Sequence, residues 1–273
     1  MPAPQTSVDL WQSIVLGIVQ GVTEFLPISS SGHLVVLQHF FGFAGNRLVF
    51  DLLVHLGTLL AVTLFFGREI LDLLKRLRRE ASERHTGEGS RFILLVALAN
   101  VPAAIVGLGF HEQAARLFDK PSLAAAMFGA TGLLLLTTRR VQRLGRHGLY
   151  AVPWHAALLM GIAQAVAILP GISRSGATIA VGMLLLVRKD DAARFSFLMS
   201  IPAIGGAFLV ECFHVEDGGT FFSLPYVAGF AAAFVVGLAA LKVLTTVIRH
   251  NRFYLFAPYL FAMAVVTAVA LVL

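Results

Sequence analysis

The sequence predicts an all-α integral membrane protein in which a re-entrant helical hairpin plus three transmembrane helices occurs twice, the second time inverted. Three observations predict this fold: the composition, six long apolar stretches and a repeated polar motif. Of the 273 residues, 58% are hydrophobic and 13% are charged, and the mean hydropathy is +0.82. Soluble domains carry roughly twice that share of charge, so an ordinary soluble fold is excluded.

Six apolar stretches have the length of a membrane span, which needs roughly 20 mostly apolar residues. They are residues 48–66, 92–110, 121–138, 195–212, 226–248 and 254–272. Two further apolar regions, 11–42 and 151–187, are each interrupted near the middle by a polar motif that contains Gly and Pro. Non-helical backbone is tolerated at membrane depth only where protein or a water-filled cavity satisfies it. Each region is therefore predicted to be a re-entrant helical hairpin.

The Lys and Arg residues predict the orientation. Most of them lie in four segments that fall on one predicted side, namely 67–91, 139–150, 188–194 and 249–253. The opposite side carries only Arg47, Arg116 and Lys120. Positive charge accumulates on the cytoplasmic side, so both termini are predicted to lie outside. The net charge of +6 is thus typical of membrane topology and does not indicate a nucleic-acid partner.

An internal repeat relates the two broken regions. Residues 17–32 and 161–176 are identical at eight of sixteen positions when offset by 144, and the matches include Gln, Ser and Gly. We therefore divide the single membrane domain, 1–273, into a first repeat at 1–138 and a second at 139–273. Inverted repeats with broken helices place a binding site near the midplane, where the halves meet.

The first hairpin contains a carboxylate deep in an apolar segment. Glu24 follows Gln20 by four residues, so both side chains lie on one helix face and could approach the same cation or substrate. Buried ionisable groups in membranes are costly and usually functional. The alternative is a structural role for Glu24 as the ion-pair partner of Arg174.

The serine cluster that follows suits an anion. Ser29, Ser30 and Ser31 lie at a predicted loop-to-helix junction, where free amides and the helix dipole favour negative charge. A plain serine N-cap is the alternative for any one of them. His33, beside a serine and a carboxylate, is a candidate base or nucleophile. We interpret His55, which has no such neighbours in sequence, as structural.

The second hairpin supplies a guanidinium. Arg174 lies between Ser173 and Ser175, outside the charged loops. A planar guanidinium binds phosphate through two parallel hydrogen bonds. The two serines and their backbone amides are candidate phosphate ligands beside it.

The two motifs together resemble the undecaprenyl-diphosphate phosphatases, the bacitracin-resistance family of bacterial membrane proteins. They read Gln20-Gly-Val-Thr-Glu24-Phe-Leu-Pro-Ile-Ser-Ser30-Ser-Gly-His33 and Pro170-Gly-Ile-Ser-Arg174-Ser-Gly-Ala-Thr178. The resemblance implies hydrolysis of a C55 polyprenyl diphosphate lipid to the monophosphate and inorganic phosphate. This reaction recycles the carrier lipid of peptidoglycan synthesis and confers bacitracin resistance. The resemblance also implies location in the bacterial inner membrane, with the active site facing the periplasm or outside.

The resemblance further implies a divalent cation, Mg²⁺ or Ca²⁺, held by Glu24 and Gln20. The family's first acidic position, Glu or Gln, is Gln20 here, so the site carries one carboxylate, and a carbonyl oxygen is the weaker ligand. Asp51 is a reserve acidic ligand. Two mechanisms are open: Ser30 attacks phosphorus with His33 as general base, or His33 attacks with Ser30 as its hydrogen-bonding partner. Arg174 holds phosphate oxygens in both.

A transporter is the rival class, because inverted repeats with broken helices are also a transporter architecture. In that case, Arg174 and Glu24 would bind the lipid head group without hydrolysis. The pair of Ser30 and His33 favours chemistry, since binding alone needs no nucleophile beside a base. Association into a homodimer is a further possibility that the sequence leaves open.

Overall fold

The computed structural model describes residues 9–43, 46–109, 117, 120–212 and 223–272. Within these ranges every regular element is helical. The helices are α1 (Leu10–Phe25), α2 (Ser30–Phe41), α3 (Arg47–Phe65), α4 (Gly67–Glu83), α5 (Glu88–Gly109), α6 (Pro121–Val141), α7 (Trp154–Val166), α8 (Arg174–Leu184), α9 (Lys189–Cys212), α10 (Leu224–Arg249) and α11 (Phe256–Ala270). Single 3₁₀ turns precede α7 and α11.

Six helices of the described chain are long and apolar enough to cross a membrane. They are Arg47–Phe65, Glu88–Gly109, Pro121–Val141, Lys189–Val210, Leu224–Arg249 and Phe253–Ala270. They coincide with the six predicted stretches, so the all-α membrane fold with six spans is confirmed. The protein is therefore a multi-pass membrane protein.

The two interrupted regions form helical hairpins, α1–α2 and α7–α8. At about 1.5 Å of rise per residue, none of the four helices is long enough to cross a hydrocarbon core of about 30 Å. They have 16, 12, 13 and 11 residues. Both hairpins turn back at a serine that caps the second helix, and their short helices are compatible with the predicted re-entrant form.

Helix pairing between the halves is compatible with an inverted repeat. Helix α1 of the first half packs on α10 of the second, and α7 of the second half packs on α5 of the first. Matched glycines lie at both crossings. A Cβ added to Gly17 would lie 2.3 Å from the carbonyl oxygen of Gly229, and one added to Gly161 would lie 2.2 Å from that of Ala99. Only glycine allows backbones to approach so closely, as in other membrane helix contacts.

The prediction of a loop at residues 67–91, between two spans, is wrong. Residues 67–91 are not a plain cytoplasmic loop, since they contain α4 and the first turn of α5. In α4, Leu73 is buried and Glu80 is only 7% exposed, while most of the Lys and Arg residues point outward. The carboxylate of Glu80 accepts hydrogen bonds from the amides of Gly89 and Ser90 at 2.7 and 2.8 Å. This contact caps α5 and fixes α4 against it. Residues 189–194, predicted to be loop, likewise form the first turns of α9.

Candidate active site

The N-termini of α2 and α8 meet between the halves. Ser29 and Ser173 cap these helices, and their hydroxyls accept hydrogen bonds from the amides of Gly32 and Gly176 at 3.3 and 3.0 Å. Each hairpin also bonds to the other. The Ser29 hydroxyl donates to the carbonyl of Ile172 at 3.3 Å, and the Ser175 hydroxyl donates to that of Leu26 at 3.2 Å. Two helix N-termini that converge in this way create a region suited to an anion.

Glu24 lies at the centre of this junction, with its side chain 5% exposed. One carboxylate oxygen pairs with the Arg174 guanidinium, across the boundary between the halves. The other accepts hydrogen bonds from the Ser30 hydroxyl at 2.5 Å and from the Gln20 amide at 3.0 Å. The structure thus brings three of the predicted site residues to the carboxylate of a fourth, and it includes the ion pair that the alternative role of Glu24 predicts.

The junction's hydroxyls complete the polar lining. Ser31 lies 3.4 Å from Ser29, and Ser175 lies 3.2 Å from Ser173, measured between hydroxyl oxygens. Ser29 has a φ of 69°, a left-handed conformation that a residue with a side chain seldom adopts. Such strain persists only where neighbouring contacts fix the backbone, and it occurs often at functional sites.

His33 lies near this cluster but bonds to other groups. Its Nδ1 is 2.7 Å from the Ser29 carbonyl oxygen and its Nε2 is 2.7 Å from the Tyr259 hydroxyl. Its ring packs edge-on to Phe128 and parallel to Tyr259. The hydroxyl of Ser30 bonds to Glu24, so the expected contact of a His33 base with Ser30 does not form here.

His55 is a site residue that the sequence interpretation missed. Its Nε2 lies 3.7 Å from the carboxylate of Glu24, and its Nδ1 lies 2.7 Å from the carbonyl oxygen of Asp51. The earlier interpretation as structural was wrong about its neighbours, because α3 packs against the first hairpin and brings residue 55 to residue 24. Asp51 stands apart from the cluster, and its carboxylate accepts from Gln38 at 2.7 Å. No sequence spacing links α3 to Glu24. The only sequence signal for a functional role of α3 is the presence of His55 and Asp51 in an apolar span.

The donors around Glu24 are consistent with a hard cation. Within the described ranges, no three His, Cys, Asp or Glu side chains converge as a ready metal site. The buried Oε1 of Gln20, however, has no hydrogen-bond partner. A carbonyl oxygen without a partner beside a carboxylate is the type of ligand that Mg²⁺ and Ca²⁺ prefer. Few ligand positions are open, since Arg174 pairs with one oxygen of Glu24 and the other accepts from Ser30 and Gln20.

Comparison with known proteins shows the family to which the chain belongs. Residues 13–266 match the family described as bacitracin resistance protein BacA. A protein of Desulfosudis oleivorans named undecaprenyl-diphosphatase is 44% identical over 265 residues, which cover 94% of this chain and 96% of the relative. Relatives of the same name from Rubrobacter xylanophilus and Methanobrevibacter smithii are 40% and 37% identical, over 97% and 94% of this chain and 99% and 96% of their own. The chain therefore belongs to the bacitracin resistance protein BacA family.

Proposed function

We propose that the protein hydrolyses undecaprenyl diphosphate to undecaprenyl phosphate and inorganic phosphate, within the membrane. The observation that carries this proposal is the contact of the Ser30 hydroxyl with Glu24 beside Arg174, at the meeting point of two helix N-termini. The Ser30 hydroxyl as nucleophile, the Glu24 carboxylate as base and the Arg174 guanidinium as phosphate ligand are thereby close enough to act on one diphosphate group. The reaction returns the lipid carrier to cell-wall synthesis, and removal of the diphosphate form accounts for bacitracin resistance.

Arg174 and the capped turns bind the diphosphate. The guanidinium is 22% exposed while Glu24 is 5% exposed, so a phosphate can reach the arginine from the open side. The amides at the starts of α2 and α8, with the hydroxyls of Ser29, Ser31, Ser173 and Ser175, provide further donors. Arg174 then stabilises negative charge on the terminal phosphoryl group during transfer.

Ser30 attacks the terminal phosphorus. Its hydroxyl proton passes to Glu24, whose carboxylate accepts it at 2.5 Å, within the reach of a general base. The bond between that phosphorus and the bridging oxygen breaks, and undecaprenyl phosphate leaves. Water then attacks the phosphorus of the phosphoserine, the bond to the Ser30 oxygen breaks as Glu24 returns the proton to that oxygen, and inorganic phosphate leaves. Attack by His33 is the second route, and it requires Nε2 to leave Tyr259.

A divalent cation is part of the proposal. Gln20 and Glu24 would hold it, and its charge would neutralise the diphosphate oxygens. The partner-free Oε1 of Gln20 supports this assignment because a carboxylate lies beside it, whereas Gln164, whose Oε1 is also without a partner, bonds to the neutral amide of Asn100. Removal of Mg²⁺ and Ca²⁺ with a chelator should abolish turnover, and either ion should restore it.

Phosphate release from purified protein in detergent tests the hydrolytic function. Detergent micelles have no two leaflets, so a transporter without hydrolytic activity would release no phosphate from undecaprenyl diphosphate. Release that is lost in Ser30→Ala and kept in Ser82→Ala, an exposed serine of α4, supports the proposal. Absence of release by the unmodified protein would support the transporter instead.

We further propose that the site opens to the periplasmic or outer side of the inner membrane. The excess of Lys and Arg at the α4 and 139–150 ends of the spans supports this orientation. A cysteine at Lys120 should react in intact cells with an impermeant thiol reagent. A cysteine at Arg84 should react only after lysis, and the reverse pattern contradicts the assignment.

A further inference from the structure

Tyr259 of α11 is joined to the candidate site through His33. Its hydroxyl lies 2.7 Å from His33 Nε2, and the two ring planes are nearly parallel, at 8°, with their centroids 5.8 Å apart. Tyr259 is 42% exposed, whereas His33 is 6% exposed. The contact joins the last span of the second half to the hairpin of the first. None of the site motifs includes this tyrosine.

The partners of His33 determine where its proton resides. The Ser29 carbonyl oxygen can only accept, so Nδ1 carries a hydrogen and donates it at 2.7 Å. In the neutral ring Nε2 then accepts, and the Tyr259 hydroxyl is the donor. A hydrogen-bond chain therefore runs from Tyr259 through His33 to the peptide of Ser29.

Ser29, whose backbone conformation is strained, directly precedes the proposed nucleophile Ser30. Ser29 has a φ of 69°, and its carbonyl also accepts from the backbone amide of His33 at 3.3 Å. The next residue, Ser30, is the first of α2 and places its hydroxyl on Glu24. Any rotation of the Ser29 peptide would move Ser30 away from the carboxylate.

We propose that Tyr259 is a positioning residue for the reaction. It holds His33 as the Nδ1–H tautomer, and His33 in turn holds the Ser29 peptide that directs Ser30 at Glu24. Tyr259 acts without touching the phosphate. The proposal rests on the hydrolytic function proposed above and adds a residue from α11 to it.

Tyr259→Phe tests the proposal, because it removes the hydroxyl and keeps the ring beside His33. Loss of the hydrogen-bond partner that orients a metal-ligating histidine commonly costs about 10- to 100-fold, and we take the same scale for a histidine that orients a peptide. We expect kcat to fall by about that factor, with KM changed less than about twofold, since substrate contacts remain. Tyr254→Phe is the matched control, because Tyr254 packs on Arg139 and should keep full activity.

A double-mutant cycle separates positioning from a general structural effect. If Tyr259 acts through His33, then Tyr259→Phe should cause no further loss of kcat in a His33→Gln background. Independent, multiplicative losses would overturn the proposal, as would wild-type kcat in Tyr259→Phe alone.

Nitrogen NMR of histidine-labelled protein gives a readout that needs no activity. The His33 signals, assigned by their loss in His33→Gln, should be those of a neutral Nδ1–H ring. Tyr259→Phe should shift the Nε2 signal. An Nε2–H ring in the unmodified protein, or no shift in the variant, would refute the positioning role. Failure to release phosphate would instead refute the hydrolytic function and leave this spectrum unaffected.

Discussion

The two hairpins share a serine-capped second helix but differ in backbone conformation at that serine, with φ of 69° at Ser29 and −76° at Ser173, and they carry different chemistry. In both, a serine N-cap, Ser29 or Ser173, accepts from the amide of the glycine three residues later. Three matched pairs differ in side-chain chemistry: Glu24 and Ile168, Ser30 and Arg174, and His33 and Ala177. The first residue of the second helix is thus a nucleophile candidate in one half and a guanidinium in the other. The repeat provides two facing helix N-termini, and divergence at matched positions provides the reactive groups.

The shared glutamines show the same divergence. Gln20 donates to the Glu24 carboxylate at 3.0 Å, whereas Gln164 donates to the amide oxygen of Asn100 at 3.0 Å. The contact of Gln164 with Asn100 is neutral, while Gln20 contacts a carboxylate of the first half that Arg174 of the second half neutralises. A single ion pair shared between halves limits the cost of charge in the membrane.

The largest expected effect comes from Glu24→Gln. The change removes the acceptor of the Ser30 proton and leaves Arg174 without its counter-charge. Loss of a general base commonly costs about 10²- to 10⁴-fold, and we expect kcat to fall by at least about 10³-fold. Phosphate release against substrate concentration measures it. Activity near that of the unmodified protein would show that Glu24 is only a structural ion-pair partner of Arg174.

Arg174→Lys tests the second hairpin. Lysine keeps the charge but loses the fork that binds two phosphate oxygens, so the change is not conservative. We expect kcat/KM to fall by about 10²-fold, comparable to the loss of one preorganised charge stabiliser. The same kinetic assay measures it, with Arg79→Lys on the exposed face of α4 as the matched control. Normal turnover in Arg174→Lys would remove the guanidinium from the transition state.

The architecture was predictable from sequence because membrane burial imposes a strict apolar length on every span. Single prolines, Pro102 and Pro202, lie inside unbroken spans, whereas the run of serine, glycine and proline in each hairpin ends a helix. The clustering of Gln20, Glu24, Ser30 and Arg174 was also predictable, since the repeat requires the halves to meet at their broken helices. His55 and Tyr259 were not predictable in this way. They come from α3 and α11, and their approach depends on helix rotation and tertiary packing that no local pattern records.

The matched glutamines give the next comparison. Gln20→Ala removes one oxygen ligand, so it should lower activity by about 3- to 10-fold and weaken the apparent affinity for Mg²⁺. The effect is modest because a neutral oxygen ligand contributes less than a carboxylate. Gln164→Ala should leave the Mg²⁺ dependence unchanged, since Gln164 bonds to Asn100 instead of Glu24. Activity titrated against Mg²⁺ measures both. Equal shifts in the two variants would contradict the assignment of the cation to the first half.

The glycines at the matched crossings predict equal losses of stability. An added Cβ in Gly17→Ala or Gly161→Ala would meet a carbonyl oxygen at 2.3 or 2.2 Å. Overpacking of this kind costs about 1–3 kcal/mol. Thermal unfolding in detergent should show similar decreases for both variants. Gly107→Ala, where no heavy atom lies within 4 Å of the new Cβ, is the control and should not be destabilised. A loss in only one of the two would show that the crossings are not equivalent.

The connection that follows the first span is longer in the first half, residues 66–87, than in the second, residues 213–223, and there the smallest effect is expected. Helix α4 fills this connection in the first half, and Glu80 caps α5. The hydroxyl of Ser90, followed by the amides of Ser90 and Gly89, lowers the pKa of Glu80 from 4.5 to about 2. Because the folded-state pKa is depressed, the stabilisation is fully present above pH 4.5 and decreases as the pH falls towards 2.

Glu80→Gln should therefore lower the thermal midpoint by a few degrees at pH 7, with a smaller difference from the unmodified protein at pH 3.5. The glutamine can accept with one oxygen only, so at least one of the amides at the start of α5 loses its partner. Glu83→Gln is the matched control, because Glu83 contacts Arg79 at an exposed position and caps no helix. Phosphate release at pH 7 should be unchanged in both variants, since α4 lies outside the hairpin junction. A Glu80→Gln effect on stability that did not diminish at low pH would show that Glu80 acts through packing, and that the charge on this cap contributes nothing.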